Sequence, residues 1–202
     1  MFLRRCDSLE KVRLFFAIHI NPDIKKEIQA LMQTLQKFPL QAKWVSENQL
    51  HVTLFFLGDV EKSKIQPLVA ATQRVLQDFP PFHIFFQEIG FFPARENPRV
   101  LWLGIQGQVA QLKRLHTTMG FALKEMNIKV EERAFFPHLT LARIKNLESP
   151  WEFREAVKKL RQKISLSQKV ASVELVQSLL RPQGPFYTIV ASCHFKTSIE
   201  IE

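Results

Sequence analysis

His51-Val52-Thr53-Leu54 heads an apolar, β-prone run over residues 50–57 and returns 87 residues later as His138-Leu139-Thr140-Leu141. In a strand, residues i and i+2 point to one face and their neighbours to the other. Each copy therefore presents an imidazole and a hydroxyl side by side, with its apolar positions on the opposite face. Two such strands facing each other predict a pocket of two histidines and two threonines. That set suits acid–base chemistry on an anionic group such as a phosphate. Histidine, with an ordinary pKa of about 6.5, serves as either acid or base near neutrality. A threonine hydroxyl two residues on can donate to a non-bridging phosphate oxygen where charge develops.

Outward from the motifs, residues 12–20 are apolar and β-rich and predict a buried strand. Asn21-Pro22 supplies an N-cap and a proline at the first helical position. Ile24, Ile28, Leu31 and Leu35 follow at helical spacing up to Phe38-Pro39. Residues 43–45 predict a short strand, 50–57 the strand of the first motif, and Gly58-Asp59 a turn after it. Ile65, Leu68, Val69, Thr72 and Leu76 mark a second helix, with Pro67 in its first turn. Residues 82–88 and 99–105 predict strands around the turn-rich loop 92–98. A third helix follows from Val109, Leu112, Leu115, Met119, Ala122 and Met126. The second motif's strand spans 135–143, a basic fourth helix 151–163, and closing strands 170–180 and 187–195.

The fold class read from this order is α+β, with mostly antiparallel sheet and helices on the outside. Each motif strand is followed by a helix, so the reading is bilobal and pseudo-symmetric. One folded domain over residues 1–202 is expected, flexible over 1–11.

Lys and Arg total 28 against 19 Asp and Glu, a net charge of +9 that favours polyanionic partners. Individual basic clusters, such as Lys113-Arg114, read as solvated helix faces. No membrane-length apolar run and no signal-peptide pattern occurs, and Cys6 and Cys193 stand apart. A reduced, cytoplasmic protein is the expectation. His-x-His and His-Glu-x-x-His spacings are missing and no further acidic ligand stands by the motifs, so no metal and no other cofactor is expected. His19, His83, His116 and His194 read as core or surface residues. Arg143 lies five positions after His138, an odd offset that sends it to the opposite face unless the strand bends, bulges or ends near Ala142.

With their flanks, the two motifs resemble the signature of the two-histidine (2H) phosphoesterases. Arg13-Leu14-Phe15-Phe16-Ala17-Ile18 is similar to the opening strand of the RNA 2′,3′-cyclic phosphodiesterase branch, also called 2′-5′ RNA ligases. Residues 48–59 and Phe136-Pro137-His138-Leu139-Thr140-Leu141-Ala142-Arg143 resemble its two motif blocks, and Ser178-Leu179-Leu180 with Gly184-Pro185 and Tyr187 its closing segment. The resemblance implies a bilobal fold around a central cleft and hydrolysis of RNA 2′,3′-cyclic phosphate ends to 2′-phosphates, without metal. It also implies weak, reversible 2′-5′ joining. His51 would be the general acid and His138 the general base, the roles exchanging with reaction direction. Thr53, Thr140 and Arg143 would hold the phosphate, and Phe56 would offer a ring for base stacking. The partner implied is an RNA end or cyclic nucleotide, bound by a monomer away from membranes. Two other uses of the pocket stay open: a non-catalytic RNA-end binding module, and a phosphoesterase acting on a small cyclic phosphate or a 2′-5′ oligoadenylate.

Overall fold

The computed structural model describes residues 10–94, 97–131, 133–161, 164–182 and 184–196. Of the start expected to be flexible, residues 1–9, with Cys6, lie outside the described residues, whereas Lys11 already opens a strand. In chain order the elements are β1 (Lys11–His19), α1 (Pro22–Leu35), β2 (Leu40–Trp44), β3 (His51–Glu61), α2 (Ile65–Leu76), β4 (Phe82–Phe92), β5 (Val100–Gly107), α3 (Val109–Glu125), β6 (His138–Leu147), α4 (Pro150–Arg161), β7 (Leu166–Val170), β8 (Ser172–Arg181) and β9 (Gly184–His194). No helix among the described residues is long and apolar enough to cross a membrane.

Three local expectations are corrected. Gly58-Asp59 does not turn the chain: Gly58 takes φ +68°, open to a residue without Cβ, and β3 runs on to Glu61. The closing strand expected over 170–180 is β8, starting at Ser172, and Val170 instead ends a further strand, β7, because Gln168 and its neighbours pair with β4 whereas Glu174 and its neighbours pair with β1. Phe135, Phe136 and Pro137 precede β6 instead of belonging to it.

All pairings are antiparallel, in one sheet ordered β7-β4-β5-β6-β3-β1-β8-β9, with β2 on the remaining edge of β6. The order is symmetric about the β6–β3 junction, where a single pair, Val52↔Leu139, is in register. On one side β3 pairs with β1 and β1 with β8; on the other, β6 pairs with β5 and β5 with β4. The match holds residue by residue. His19↔His51, Ile18↔Val52 and Ala17↔Thr53 correspond to Gly104↔His138, Leu103↔Leu139 and Trp102↔Thr140. The lobes are thus halves of one continuous sheet. Gln168 also links them: its Nε2 donates to the His19 carbonyl at 2.6 Å and its Oε1 accepts from Asn21 N–H at 3.0 Å.

Binary patterning separates the sheet's faces. Leu14, Phe16, Ile18, Val52, Leu54, Leu139 and Leu141 pack with the apolar stripes of all four helices into the main core. Ile28, Met32 and Leu35 come from α1, Leu68 and Leu76 from α2, Leu112, Leu115 and Met119 from α3, and Phe153 and Val157 from α4. Each such buried side chain stabilises by about 1.5–3 kcal/mol. The alternate positions of β1 and β8, Phe15, Ala17 and Val176, form a small separate cluster with Tyr187 on the other face. That face carries the two motifs.

Candidate active site

Val52 and Leu139 are both fully buried, so their neighbours turn the other way. The antiparallel register sets Thr53 beside His138 and Thr140 beside His51, which gathers the four predicted side chains at the junction of the lobes. Thr53 and His138 line one cavity of about 380 Å³. His51 lines a second of about 450 Å³ with Phe15, His19, Glu174 and Tyr187.

Arg143 and Phe56 reach the same face because both motif strands bulge at one equivalent point. In β3, Thr53 pairs with Ala17 and Phe55 with Phe16, so Leu54 is an extra residue. In β6, Thr140 pairs with Trp102 and Ala142 with Leu101, so Leu141 is extra. One extra residue inverts the alternation beyond it. Leu54 and Phe55 are consequently both buried, as are Leu141 and Ala142, and the fifth residue after each histidine returns to the histidine's side. Phe56 is 63% exposed there. Arg143 is exposed and acts electrostatically on Tyr187, which lines the His51 cavity.

Both imidazoles are oriented alike. His51 Nδ1 donates to the carbonyl of Gln49 at 2.6 Å, and His138 Nδ1 to the carbonyl of Phe136 at 2.8 Å. A carbonyl only accepts, so each Nδ1 carries the hydrogen and each Nε2 is left for chemistry. The acceptors are fixed differently. Gln49 Oε1 takes the Ser46 N–H and its Nε2 donates to the Pro185 carbonyl, clamping that residue. Phe136 is held extended by the buried Pro137 after it. The Thr53 hydroxyl lies 3.0 Å from His51 Nε2, to which it donates when the ring is neutral.

The surroundings differ. His51 sits between Phe15 and Tyr187, ring centroids 5.0 and 5.4 Å away. His138 meets Phe92 edge-on at 5.2 Å, with Trp102 and Phe136 behind. Gly90 makes room for Trp102: a Cβ there would stand 2.1 Å from the indole. Burial holds the His51 pKa below its ordinary value, as do the charges of His19 and His138, while the hydrogen bond to Gln49 works against them.

The sequence reading leaves His19 outside the site. The structure puts it across from His51, on the wall of the same cavity, with Lys25 Nζ donating to its Nε2 at 3.0 Å. Burial and then Lys25 lower its pKa; Glu174 acts in the opposite sense. No motif announces His19, and only the β1–β3 register could have placed it. His116, also set aside, lies sandwiched between Phe55 and Phe135 at 4.1 and 4.0 Å. It bonds to the backbone of Leu54, the bulge residue, so α3 fastens the bulge that turns Phe56 toward the cleft.

A family model described as the 2′-5′ RNA ligase superfamily matches residues 21–181. The RNA 2′,3′-cyclic phosphodiesterase of Thermotoga maritima is 32% identical over 188 residues, covering 92% of this chain and 96% of its own. The protein of the same name from Methanothermobacter thermautotrophicus is 30% identical over 178 residues, covering 88% and 96%. Among solved structures, TT0787 of Thermus thermophilus superposes with a TM-score of 0.76 at 25% identity, over 92% of this chain and 99% of that one. E. coli LigT complexed with 3′-AMP superposes at 0.73 and 25% identity, over 93% and 100%. Matches of this length, in sequence and in fold alike, make the chain a member of the 2′-5′ RNA ligase superfamily.

Proposed function

We propose that this protein hydrolyses RNA 2′,3′-cyclic phosphate ends to 2′-phosphate ends, with weak reversible 2′-5′ joining by the same groups. The observation that carries the reading is the pair of imidazoles at one junction, each with Nδ1 tied to the carbonyl two residues before it and Nε2 left for proton transfer. The names of the relatives point to the same reaction.

In this reading His138 Nε2 takes a proton from water as the water oxygen bonds to phosphorus. The P–O3′ bond breaks, and His51 Nε2 gives its proton to the departing O3′, leaving the phosphate on O2′. Thr53, Thr140 and Arg143 hold the non-bridging oxygens as charge builds, and Phe56 stacks a base. Acid, base and oxyanion donors are all side chains, so the proposal requires no metal. The direction of the His51 shift sets one condition. The free site favours neutral His51, whereas the negative charge of a bound phosphodiester favours the imidazolium. Substrate binding therefore loads the acid. A monomer acting in the cytoplasm is part of the proposal.

The test is product identity. An oligoribonucleotide with a 2′,3′-cyclic phosphate end should be converted to its 2′-phosphate in the presence of excess chelator. A 3′-phosphate product, or tight binding with no turnover, would overturn the reading.

A further inference from the structure

We infer that the single-stranded RNA preceding the reacting end lies in a groove along α3, with its phosphates on Lys113 and Lys124 and a base on Phe121. The inference rests on the proposed RNA-end hydrolysis and extends it from the terminal phosphate to the body of the substrate.

The cavity that holds Thr53 and His138 does not close beyond them. It shares Phe55, His116, Arg133 and Phe135 with a neighbouring cavity of about 470 Å³, so the two form one trough leading away from the cleft. The far wall of the trough is α3. Its Lys113, Thr117, Gly120, Phe121 and Lys124 recur at helical spacing and form a stripe roughly opposite the buried Leu112, Leu115, Met119 and Leu123. The two lysines stand about 16 Å apart along the helix, a span of a few nucleotides. Among the described residues neither has a carboxylate within ion-pair distance. Arg133 adds a third cation, beside its partner Glu131 at 3.4 Å.

Exposed phenylalanine follows the same line for the most part, while exposed Trp151 lies on α4 and Phe186 in the cavity beyond His51. Four phenylalanines of the described residues are exposed: Phe56, Phe121, Phe136 and Phe186. The first three line the trough, and Phe121, at 64% exposed, has no part in the core. Cations interleaved with exposed rings are what a single strand uses, phosphates on the first and bases on the second. Among its described lining residues, the cavity beyond His51 carries the Glu174 carboxylate and no lysine or arginine; Lys25, Arg143 and Arg181 reach it only through His19, Tyr187 and Phe186. The α3 trough has Lys113, Lys124 and Arg133 on its own wall against the single Glu131 carboxylate. That direct lining of cations favours the α3 side for the phosphodiester chain.

The test compares Lys113→Gln/Lys124→Gln and Phe121→Ala with the unaltered full-length protein on two substrates. One is a 2′,3′-cyclic mononucleotide, too short to reach α3; the other is a six-nucleotide RNA with the same end. The inference requires unchanged kcat/KM on the mononucleotide. On the oligonucleotide, the double variant should lose roughly tenfold at low salt, and Phe121→Ala roughly fivefold or more. Binding of the 2′-phosphate hexamer, read by fluorescence anisotropy, should show its salt slope reduced by about 1.4 in the double variant. Equal losses on both substrates, or a full oligonucleotide rate with an unchanged slope, would overturn the groove. If the unaltered protein turned over neither substrate, the hydrolysis reading would fall, and the anisotropy would still decide the groove.

Discussion

β3 and β6 are built to one plan and furnished to two. Each starts on a histidine whose Nδ1 is fixed by the carbonyl two residues back, follows with a threonine on the same face, and bulges at the residue after that threonine. Beyond the bulge the plans diverge: the residue brought to the cleft is Phe56 on β3 and Arg143 on β6. The residue across the ladder diverges too, His19 opposite His51 and Gly104 opposite His138. The duplicated part is the histidine–threonine geometry, proposed above to carry proton transfer and phosphate binding; the unshared part is Phe56, Arg143 and His19. Under that proposal, repetition marks the reacting groups, and departure from repetition marks groups able to tell one end of the substrate from the other.

The comparison is broken most directly at the histidines. His51→Ala and His138→Ala should each lower kcat on a 2′,3′-cyclic nucleotide by about 10²–10⁴-fold. Unchanged circular dichroism would show that the fold survives. Full activity in either variant would mean that the two strands do not share the proton transfers.

A smaller effect separates the residues after the bulges. Arg143→Ala removes the charged group proposed to hold the phosphate and should cost about 1.5–3 kcal/mol in kcat/KM, roughly 10- to 150-fold. Phe56→Ala should act chiefly on KM, by about fivefold or more, since a ring bearing on a base does not meet the charge that develops at phosphorus. Equal profiles for the two variants would show that the divergence carries no difference in task.

The smallest effect lies in the acid stability of the folded chain. His19, His51 and His116 are all held below the ordinary histidine value of 6.5, in each case first by burial. The unfolded chain then binds more protons than the folded one as the pH drops through that region. Their contribution is fully present above pH 6.5 and is lost as pH falls toward the folded values, so the melting temperature should decline on acidification. Proton NMR should find His51 titrating below 6.5 in the free protein and higher once a nucleotide 2′-phosphate is bound. A His51 titration at or above 6.5 in the free protein would contradict the enclosure described for it.

Much of this is legible in the chain. The helices declare themselves through Asn21-Pro22 and through stripes such as Leu112, Leu115 and Met119, because apolar spacing is a local property. His51, Thr53, His138 and Thr140 follow from strand parity alone. Arg143 and Phe56 do not, because a bulge at Leu54 or Leu141 leaves no mark in an unbroken apolar run, with neither glycine nor proline to signal it. Only the family resemblance brings those two forward. β7 escapes the sequence reading because Leu166-Ser167-Gln168-Lys169-Val170 is short and polar at its centre; it is a strand because β4 offers it an edge. Gly58 reads as a turn because sequence cannot distinguish a glycine that reverses a chain from one that eases an irregular ladder.

The single Val52↔Leu139 pair lies on the axis that relates the two halves. A site with true twofold symmetry would accept a phosphodiester equally well in either sense, with its 5′ side over one lobe or over the other. Such a site would spend half of its encounters on a reversed strand. A flat ring at one arm of the axis and a cation at the other, in the roles proposed for Phe56 and Arg143, would remove that degeneracy. A frame that by itself has no handedness toward its substrate would thereby acquire a polarity, and a linear polymer entering it would have one reading direction.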